Sequence, residues 1–167
     1  MHPISSRRLL VGVGLGLLVP VVLLTAQGAN PPNMQPHAMG VWKLNLAKSK
    51  YEPGPPPKSN TRTYEYLGKG VEWTLTDTVD AQGNRTMAEN IWRYDGKDYP
   101  TGNAPGAFTS YKNIDEYTME YTQKLNGKVT AVITRTVSRD GKTMTHHTRG
   151  TNAQGQKVEN TIVLEKQ

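Results

Sequence analysis

The sequence predicts an all-β protein, and three observations lead to that prediction. Apolar and polar side chains alternate along segments such as Val71-Glu72-Trp73-Thr74-Leu75, which is the repeat of a strand with one buried face. Glycine turns such as Asp95-Gly96 and Asn126-Gly127 separate these segments, and such dipeptides are typical of hairpins. The 19 threonines and eight tyrosines also favour strands, because β-branched and aromatic side chains suit a pleated surface.

The alternating segments predict a series of short strands joined by tight turns. Their approximate bounds are 40–47, 60–67, 71–80, 85–95, 105–112, 116–125, 128–139, 142–150 and 156–165, with 98–103 as a further candidate. A flat sheet of roughly eight to ten strands has two exposed edges, and closing an antiparallel up-and-down barrel removes both. We therefore expect a single barrel of that kind, with an antiparallel β-sandwich as the alternative.

The N-terminal segment has the layout of an export signal. Arg7 and Arg8 precede an apolar run from Leu9 to Leu24, an arrangement typical of a signal peptide. The run is shorter than the roughly 20 apolar residues of a membrane-spanning helix. We expect no stable membrane span after processing, with a retained anchor as the alternative.

Small residues at Ala26 and Gly28 suit signal peptidase, so residues 1–28 are predicted to be a cleavable signal. A periplasmic or extracellular location follows from that prediction. The arginine pair also resembles a twin-arginine signal, which leaves two export routes open.

Two further stretches set the predicted domain organisation. Residues 29–38 contain three prolines and no periodicity, which predicts an extended spacer, and the barrel domain is expected over residues 39–167.

The chain contains no cysteine, so disulfides, thiolate metal sites and a cysteine nucleophile are excluded.

The charge pattern does not favour a nucleic-acid partner. The formal net charge is +6, of which Arg7 and Arg8 contribute two charges. The remaining basic residues are interleaved with acids, as in Lys97-Asp98 and Arg139-Asp140, whereas nucleic-acid-binding domains usually group theirs on one face.

One short motif carries a resemblance to a known family. Gly40-Val41-Trp42 begins the first predicted strand and resembles the opening signature of lipocalins and fatty-acid-binding proteins. The resemblance implies that Trp42 closes one barrel end and that a late arginine packs over its ring. Arg149 is the first candidate for that arginine and Arg135 the second.

The resemblance extends over residues 39–167 but does not include the residues with which fatty-acid-binding proteins hold their ligand. The segments 41–51, 53–57, 94–100 and 164–166 look like those of a group of exported bacterial proteins. The last strand, however, lacks the arginine and tyrosine with which fatty-acid-binding proteins hold a carboxylate. Capture of a fatty acid by that route is therefore not expected.

The residues that usually carry catalysis or metal binding give no clear site. His146 and His147 are adjacent on a predicted strand, where neighbouring side chains point to opposite faces, so they are not expected to chelate one ion. A single axial haem ligand is the alternative for one of them. No serine has a Gly-x-Ser-x-Gly setting. We assign no catalytic residue, metal or cofactor.

Six large side chains at strand spacing are the candidates for a ligand wall, and packing of a filled core is the alternative. They are Trp73, Trp92, Tyr94, Tyr117, Met119 and Tyr121. If they line a cavity, they present apolar surface with hydroxyl groups, which suits an apolar or amphipathic small molecule.

The sequence thus predicts an exported, non-enzymatic protein that binds or carries a small molecule. The alternatives are a hydrolase or isomerase on the same barrel and a structural envelope module with a filled interior. A cavity with two titratable groups within hydrogen-bond reach would favour the enzyme.

Overall fold

The computed structural model describes residues 34–102 and 104–167, which form ten β-strands. The strands are β1 (Gly40–Leu44), β2 (Ser59–Gly68), β3 (Val71–Val79), β4 (Arg85–Arg93), β5 (Asp95–Pro100), β6 (Ala107–Asn113), β7 (Thr118–Leu125), β8 (Lys128–Val137), β9 (Thr143–Thr151) and β10 (Lys157–Lys166). Two short 3₁₀ turns lie at Pro36–Ala38 and Leu46–Lys48. The predicted signal, residues 1–28, lies outside the described residues.

The strands form one antiparallel sheet that curls into a nearly closed barrel. Their order is β4-β3-β2-β1-β10-β9-β8-β7-β6-β5, so strands that are consecutive in sequence pair with each other, except β4 and β5, and β1 also pairs with β10. Within the described residues, β4 and β5 are the two edge strands of the sheet. The predicted up-and-down barrel is confirmed, and the candidate strand at 98–103 corresponds to β5.

One end of the barrel is closed by a packed core. Trp42 is fully buried there with Ala38, Val137, Met144 and Leu164. Its indole Nε1 donates a hydrogen bond to the Ala38 carbonyl over 2.7 Å. The structure places Trp42 in this packed core, and its role as the residue that closes the barrel end stays a prediction.

The cation over the Trp42 ring is Lys166, and the prediction of Arg149 is wrong. Lys166 Nζ lies 5.2 Å from the ring centroid, because β1 and β10 pair Trp42 directly with Lys166. The Arg149 side chain is 70% exposed beside Glu159. Arg149 follows the β9 residue Thr143 by six positions, roughly 20 Å along a strand, and so lies toward the other end. Gly40 has a φ of +110°, a conformation that glycine adopts without strain.

The packed domain begins earlier than residue 39. Gln35 and Ala38 lie within the predicted spacer, residues 29–38, and are buried at the closed end. The Gln35 side-chain nitrogen Nε2 donates to Asn113 Oδ1 and to the Asp115 carbonyl, each over 2.6 Å. Proline content and missing periodicity could not reveal these contacts, because their partners lie about 80 residues further along the chain.

Strand β3 turns the opposite face inward from the one expected. Glu72 and Thr74 are buried, whereas Trp73 is only partly buried on the other face. Alternation reveals two faces but does not show which of them is inside. Here the polar face is inside because Glu72 has a buried ionic partner, described below.

Over residues 34–102 and 104–167 no helix has both the length and the apolar character needed to cross a membrane.

Candidate ligand-binding cavity

The barrel interior holds a cavity of about 190 Å³. Its lining comes from seven strands and the Thr101 segment, and it combines aromatic rings with hydroxyl, amide, guanidinium and imidazole groups. The barrel is therefore not filled by its own side chains, which argues against the structural module with a solid interior.

The wall formed by β2, β3 and β4 is mainly polar because strand register aligns polar residues in rows. Tyr64 pairs with Thr74, which pairs with Asn90 on β4. Arg62 lies opposite Thr76 in the next row of the same face. All five side chains line the cavity.

The floor of the cavity is a buried ionic cluster. Arg135 Nη1 donates to Glu72 Oε1 over 3.1 Å, and Nη2 donates to the Tyr94 hydroxyl over 3.0 Å. The Tyr94 hydroxyl in turn donates to Glu72 Oε2. Burial raises the pKa of Tyr94, so the phenol stays protonated as a donor. The Arg135 guanidinium also lies 4.8 Å from the Tyr64 ring centroid.

A second polar cluster joins Arg62, Tyr121 and His146 on the cavity wall. Tyr121 Oη lies 2.7 Å from His146 Nδ1, and Arg62 Nη1 lies 3.2 Å from the same nitrogen. His146 Nε2 lies 3.2 Å from the Met144 sulfur. Arg62 Nη1 also lies 3.4 Å from His146 Nε2, so the guanidinium, which only donates, faces both ring nitrogens.

The same surroundings keep His146 neutral. Burial first, and then the charges of Arg62 and Arg135, hold the pKa of His146 well below its usual value of 6.5. Burial also raises the pKa of Tyr121 to about 12. The cluster therefore contains a neutral imidazole, a protonated phenol and one guanidinium cation.

Three buried polar atoms on the β3 and β4 side of the cavity have no hydrogen-bond partner among the described residues. They are Trp92 Nε1, Thr74 Oγ1 and Asn90 Oδ1. A buried polar group without a partner is costly, by about 1–3 kcal/mol. Because all three residues line the cavity, a bound molecule is in position to supply the missing partners.

An aromatic row crosses the gap between the edge strands. The Trp92 and Tyr111 rings stack with centroids 4.3 Å apart and planes 8° apart. Tyr111 continues the row to Tyr121, at a centroid distance of 5.8 Å. The cavity thus offers flat aromatic surface beside its polar wall.

A second, more open pocket of about 340 Å³ lies at the end opposite Trp42. It shares Thr101, Thr109 and Gln123 with the inner cavity. Phe108 and Leu125 are exposed on its rim. The two pockets therefore adjoin, which gives the inner cavity a route toward this end.

The structure brings together three of the six predicted wall residues. Trp92, Met119 and Tyr121 line the cavity. Tyr94 belongs to the floor cluster instead. Whether any of them binds a ligand stays a prediction.

The other two predicted wall residues lie elsewhere. Trp73 is on the outer face of β3 because Glu72 and Thr74 on either side of it are buried inward. Tyr117 precedes β7 at the closed end, where it stacks on His37 at 4.3 Å and under Arg139 at 4.0 Å.

Sequence reasoning missed most of the polar lining. The cavity is also lined by Arg62, Tyr64, Thr74, Tyr111 and Arg135, which are not among the six predicted wall residues. Large apolar side chains are the usual sign of a cavity wall, whereas the signal for this polar wall is the alternation that places Asn60, Arg62 and Tyr64 on one face of β2.

The metal and haem interpretations gain no support. Over the described ranges, no group of three His, Cys, Asp or Glu side chains is arranged to hold a metal ion. Both ring nitrogens of His146 already have protein neighbours within 3.4 Å, so neither offers an open position to an axial metal.

Comparison with known proteins finds similar solved structures but no similar sequences. No protein-family model and no curated protein matches the sequence. Among solved structures, the chain is similar to wild-type fluorescent protein UnaG, with a TM-score of 0.57 and 12% identity over 80% of this chain and all (100%) of that one. Two mutants of UnaG match with TM-scores of 0.55 and 0.53, identities of 12% and 15%, and coverage of 80% of this chain and 99% and 98% of theirs. At these identities the likeness shows the fold alone, so this chain has an up-and-down β-barrel fold like that of UnaG.

Proposed function

We propose that this protein is an exported, non-enzymatic barrel that binds a small amphipathic molecule in its inner cavity. One observation carries the proposal: the cavity combines stacked aromatic rings with buried polar atoms that have no protein partner. Ligand sites are typically concave surfaces with a few converging polar groups. The up-and-down barrel supports the same interpretation, since it encloses the cavity with one end closed by the packed core around Trp42.

Tryptophan fluorescence tests the binding proposal, because the chain has three tryptophans in different settings. Trp92 lines the cavity, Trp42 is in the closed end and Trp73 is on the outer face. A panel of aromatic and amphipathic compounds should contain some that change the emission in a saturable way. Trp92→Phe should abolish most of that change, whereas the matched variant Trp73→Phe should retain it.

Two results would count against the proposal. One is a panel without any saturable change, together with native mass spectra that show no co-purified molecule. The other is a change that persists in Trp92→Phe and disappears in Trp73→Phe, which would place binding on the outer surface.

Export is the second part of the proposal and depends on the N-terminal sequence. The basic pair and apolar run of residues 7–24, followed by small residues, predict cleavage after Ala26 or Gly28. The mature protein should therefore begin at Gln27 or Ala29 and be recovered from the periplasm or medium. An intact mass that includes residues 1–24 in the mature protein would contradict this part.

A proton-transfer enzyme, such as an isomerase, is the second candidate function. The observation that favours it is the Tyr121–His146 pair, two titratable groups 2.7 Å apart on the cavity wall. A neutral imidazole can accept a proton and a phenol can donate one. Incubating the bound compounds with protein and following them by NMR tests this function: turnover that His146→Gln abolishes would support it, whereas unchanged ligands support simple binding.

A further inference from the structure

The charges around the cavity do not balance among the described residues. Arg135 is neutralised by Glu72, with both side chains 1% exposed. Arg62 has no carboxylate within ion-pair distance among the described residues, and its contacts are Asn60 Oδ1 at 2.9 Å and the His146 ring. Since His146 is neutral, the cavity holds one positive charge without a counter-charge. The Arg62 side chain is half-buried, and an anion in the cavity would supply the charged partner that the described residues do not.

The unpartnered polar atoms lie beside this charge on the same wall. Thr74 is on the strand next to Arg62, and Asn90 and Trp92 are on the strand beyond. Trp92 Nε1 can only donate, and the Thr74 hydroxyl can donate as well. Asn90 Oδ1 only accepts, so the wall beside Arg62 offers two donors and one acceptor, and the two donors together with Arg62 suit the oxygens of a carboxylate.

Size and shape limit the part of the ligand that the inner cavity holds. The inner cavity measures about 190 Å³, less than the roughly 300 Å³ at which sites for drug-sized molecules begin. An engineered cavity of about 150 Å³ in another protein holds one benzene molecule. A single ring with a small substituent therefore fits, and its flat face matches the stacked Trp92 and Tyr111 rings.

We propose that the inner cavity binds a compact aromatic carboxylate, with its carboxylate on Arg62 and its ring against the Trp92–Tyr111 stack. This inference rests on the proposed binding function and names the class of ligand. Such a ligand differs from a long-chain lipid, because it places a negative charge and an aromatic ring together within a small volume.

Calorimetric titration of the full-length or mature protein with benzoate, benzamide, hexanoate and palmitate tests the inference without any variant. Benzoate and benzamide have the same ring, and only benzoate carries a charge. Benzoate should bind saturably and at least about tenfold more tightly than benzamide, which is the range expected for one charge-assisted hydrogen-bond site. It should also bind more tightly than hexanoate, which carries the charge without the ring.

Variants of Arg62 then test whether this residue binds the carboxylate of benzoate. Arg62→Gln should weaken benzoate binding about tenfold or more and leave benzamide nearly unchanged. Arg149→Gln makes the same charge change at an exposed position and should leave both unchanged. Arg62→Lys keeps the charge and should retain the preference for benzoate, which provides a second measurement if Arg62→Gln does not fold in thermal melts.

The possible failures separate this inference from the proposed function. Benzamide binding as tightly as benzoate would overturn the role of Arg62, and preferential binding of palmitate would overturn the compact aromatic class. In both cases the protein would still be a small-molecule binder. If neither these probes nor the wider panel bind, both the inference and the proposed function fail.

Discussion

Arg135 and Glu72 form an ion pair of 3.1 Å in which both side chains are 1% exposed. The pair joins β8 to β3 across the barrel interior, and Tyr94 completes its hydrogen bonds. A buried pair of this kind is not necessarily more stable than an apolar pair of the same size, but removing one partner leaves the other charge buried alone.

Glu72→Gln should therefore lower the free energy of unfolding by about 3–5 kcal/mol in urea melts. The surface pair of Asp77 with Arg85 is the matched control, since the Arg85 side chain is 63% exposed; Asp77→Asn should cost less than about 1 kcal/mol. Replacing both buried partners, with Glu72→Leu and Arg135→Met, should recover much of the loss. If Glu72→Gln lowers the free energy of unfolding no more than Asp77→Asn does, the substitution does not leave Arg135 as an unpaired buried charge.

Substitution of Trp42 is also expected to lower the stability of the protein strongly. Its side chain is fully buried and bonded to the Ala38 carbonyl, so Trp42→Ala should cost about 3–5 kcal/mol. Lys166→Met should cost about 0.5–1 kcal/mol by removing the cation above the ring, whereas Arg149→Met should change stability little. Urea melts of the three variants measure these effects, and a loss below about 1 kcal/mol for Trp42→Ala would contradict a closing role for this residue.

Local signals in the sequence were sufficient to predict the strands and their order. Asn126-Gly127 marks the reversal between β7 and β8, and period-two alternation marks the strands, whereas Asp95-Gly96 lies inside β5 instead of in a hairpin turn. The same signals could not orient β3, because alternation is symmetric with respect to inside and outside. The buried side of that strand is decided by Arg135, which lies 63 positions from Glu72 in the chain.

The candidate site was only partly predictable for a related physical reason. Met119 and Tyr121 were found because large side chains at strand spacing are easily recognised. Arg62 and His146 were missed because a charged or polar residue is usually exposed. They are tolerated inside this barrel because Asn60, Tyr121 and Met144 supply neighbours that no local pattern reveals.

The buried His146 predicts a specific loss of stability in acid. Burial, followed by the charges of Arg62 and Arg135, lowers its pKa in the folded protein, whereas in the unfolded chain it takes up a proton near pH 6.5. Below that pH the unfolded state binds more protons, so stability falls as pH falls, by up to about 1.4 kcal/mol per pH unit.

His146→Gln should flatten this fall between about pH 6.5 and pH 5, the window set by the unfolded pKa of histidine. His147→Gln is the control, because that side chain is on the outer face and 35% exposed. Urea midpoints at several pH values measure the slopes. Equal slopes for wild type and His146→Gln would show that this imidazole is not kept neutral by the fold.

Tyr121 offers a test of the cavity wall that separates its ring from its hydroxyl. The ring continues the stack of Tyr111, and the hydroxyl contacts His146 Nδ1. Tyr121→Ala should weaken binding of a cavity ligand about tenfold or more through lost aromatic contact, while Tyr121→Phe should weaken it much less. Circular dichroism must show both variants folded, and equal binding by Tyr121→Ala and wild type would place the ligand elsewhere.

Gln35 should be a structural part of the barrel although it lies in a stretch that reads as a linker. Its side-chain nitrogen points to Asn113 Oδ1 and to the carbonyls of Asp115 and Thr118, at 2.6, 2.6 and 3.1 Å. Gln35→Ala leaves these acceptors without their donor and should cost about 1–3 kcal/mol in urea melts. Gln35→Glu should cost more, because a carboxylate would face three oxygen acceptors, whereas Gln154→Ala in an exposed turn should change little. A protein shortened to begin at Met39 should lose at least as much stability as Gln35→Ala, and equal stability of the shortened and longer proteins would restore residue 39 as the start of the packed domain.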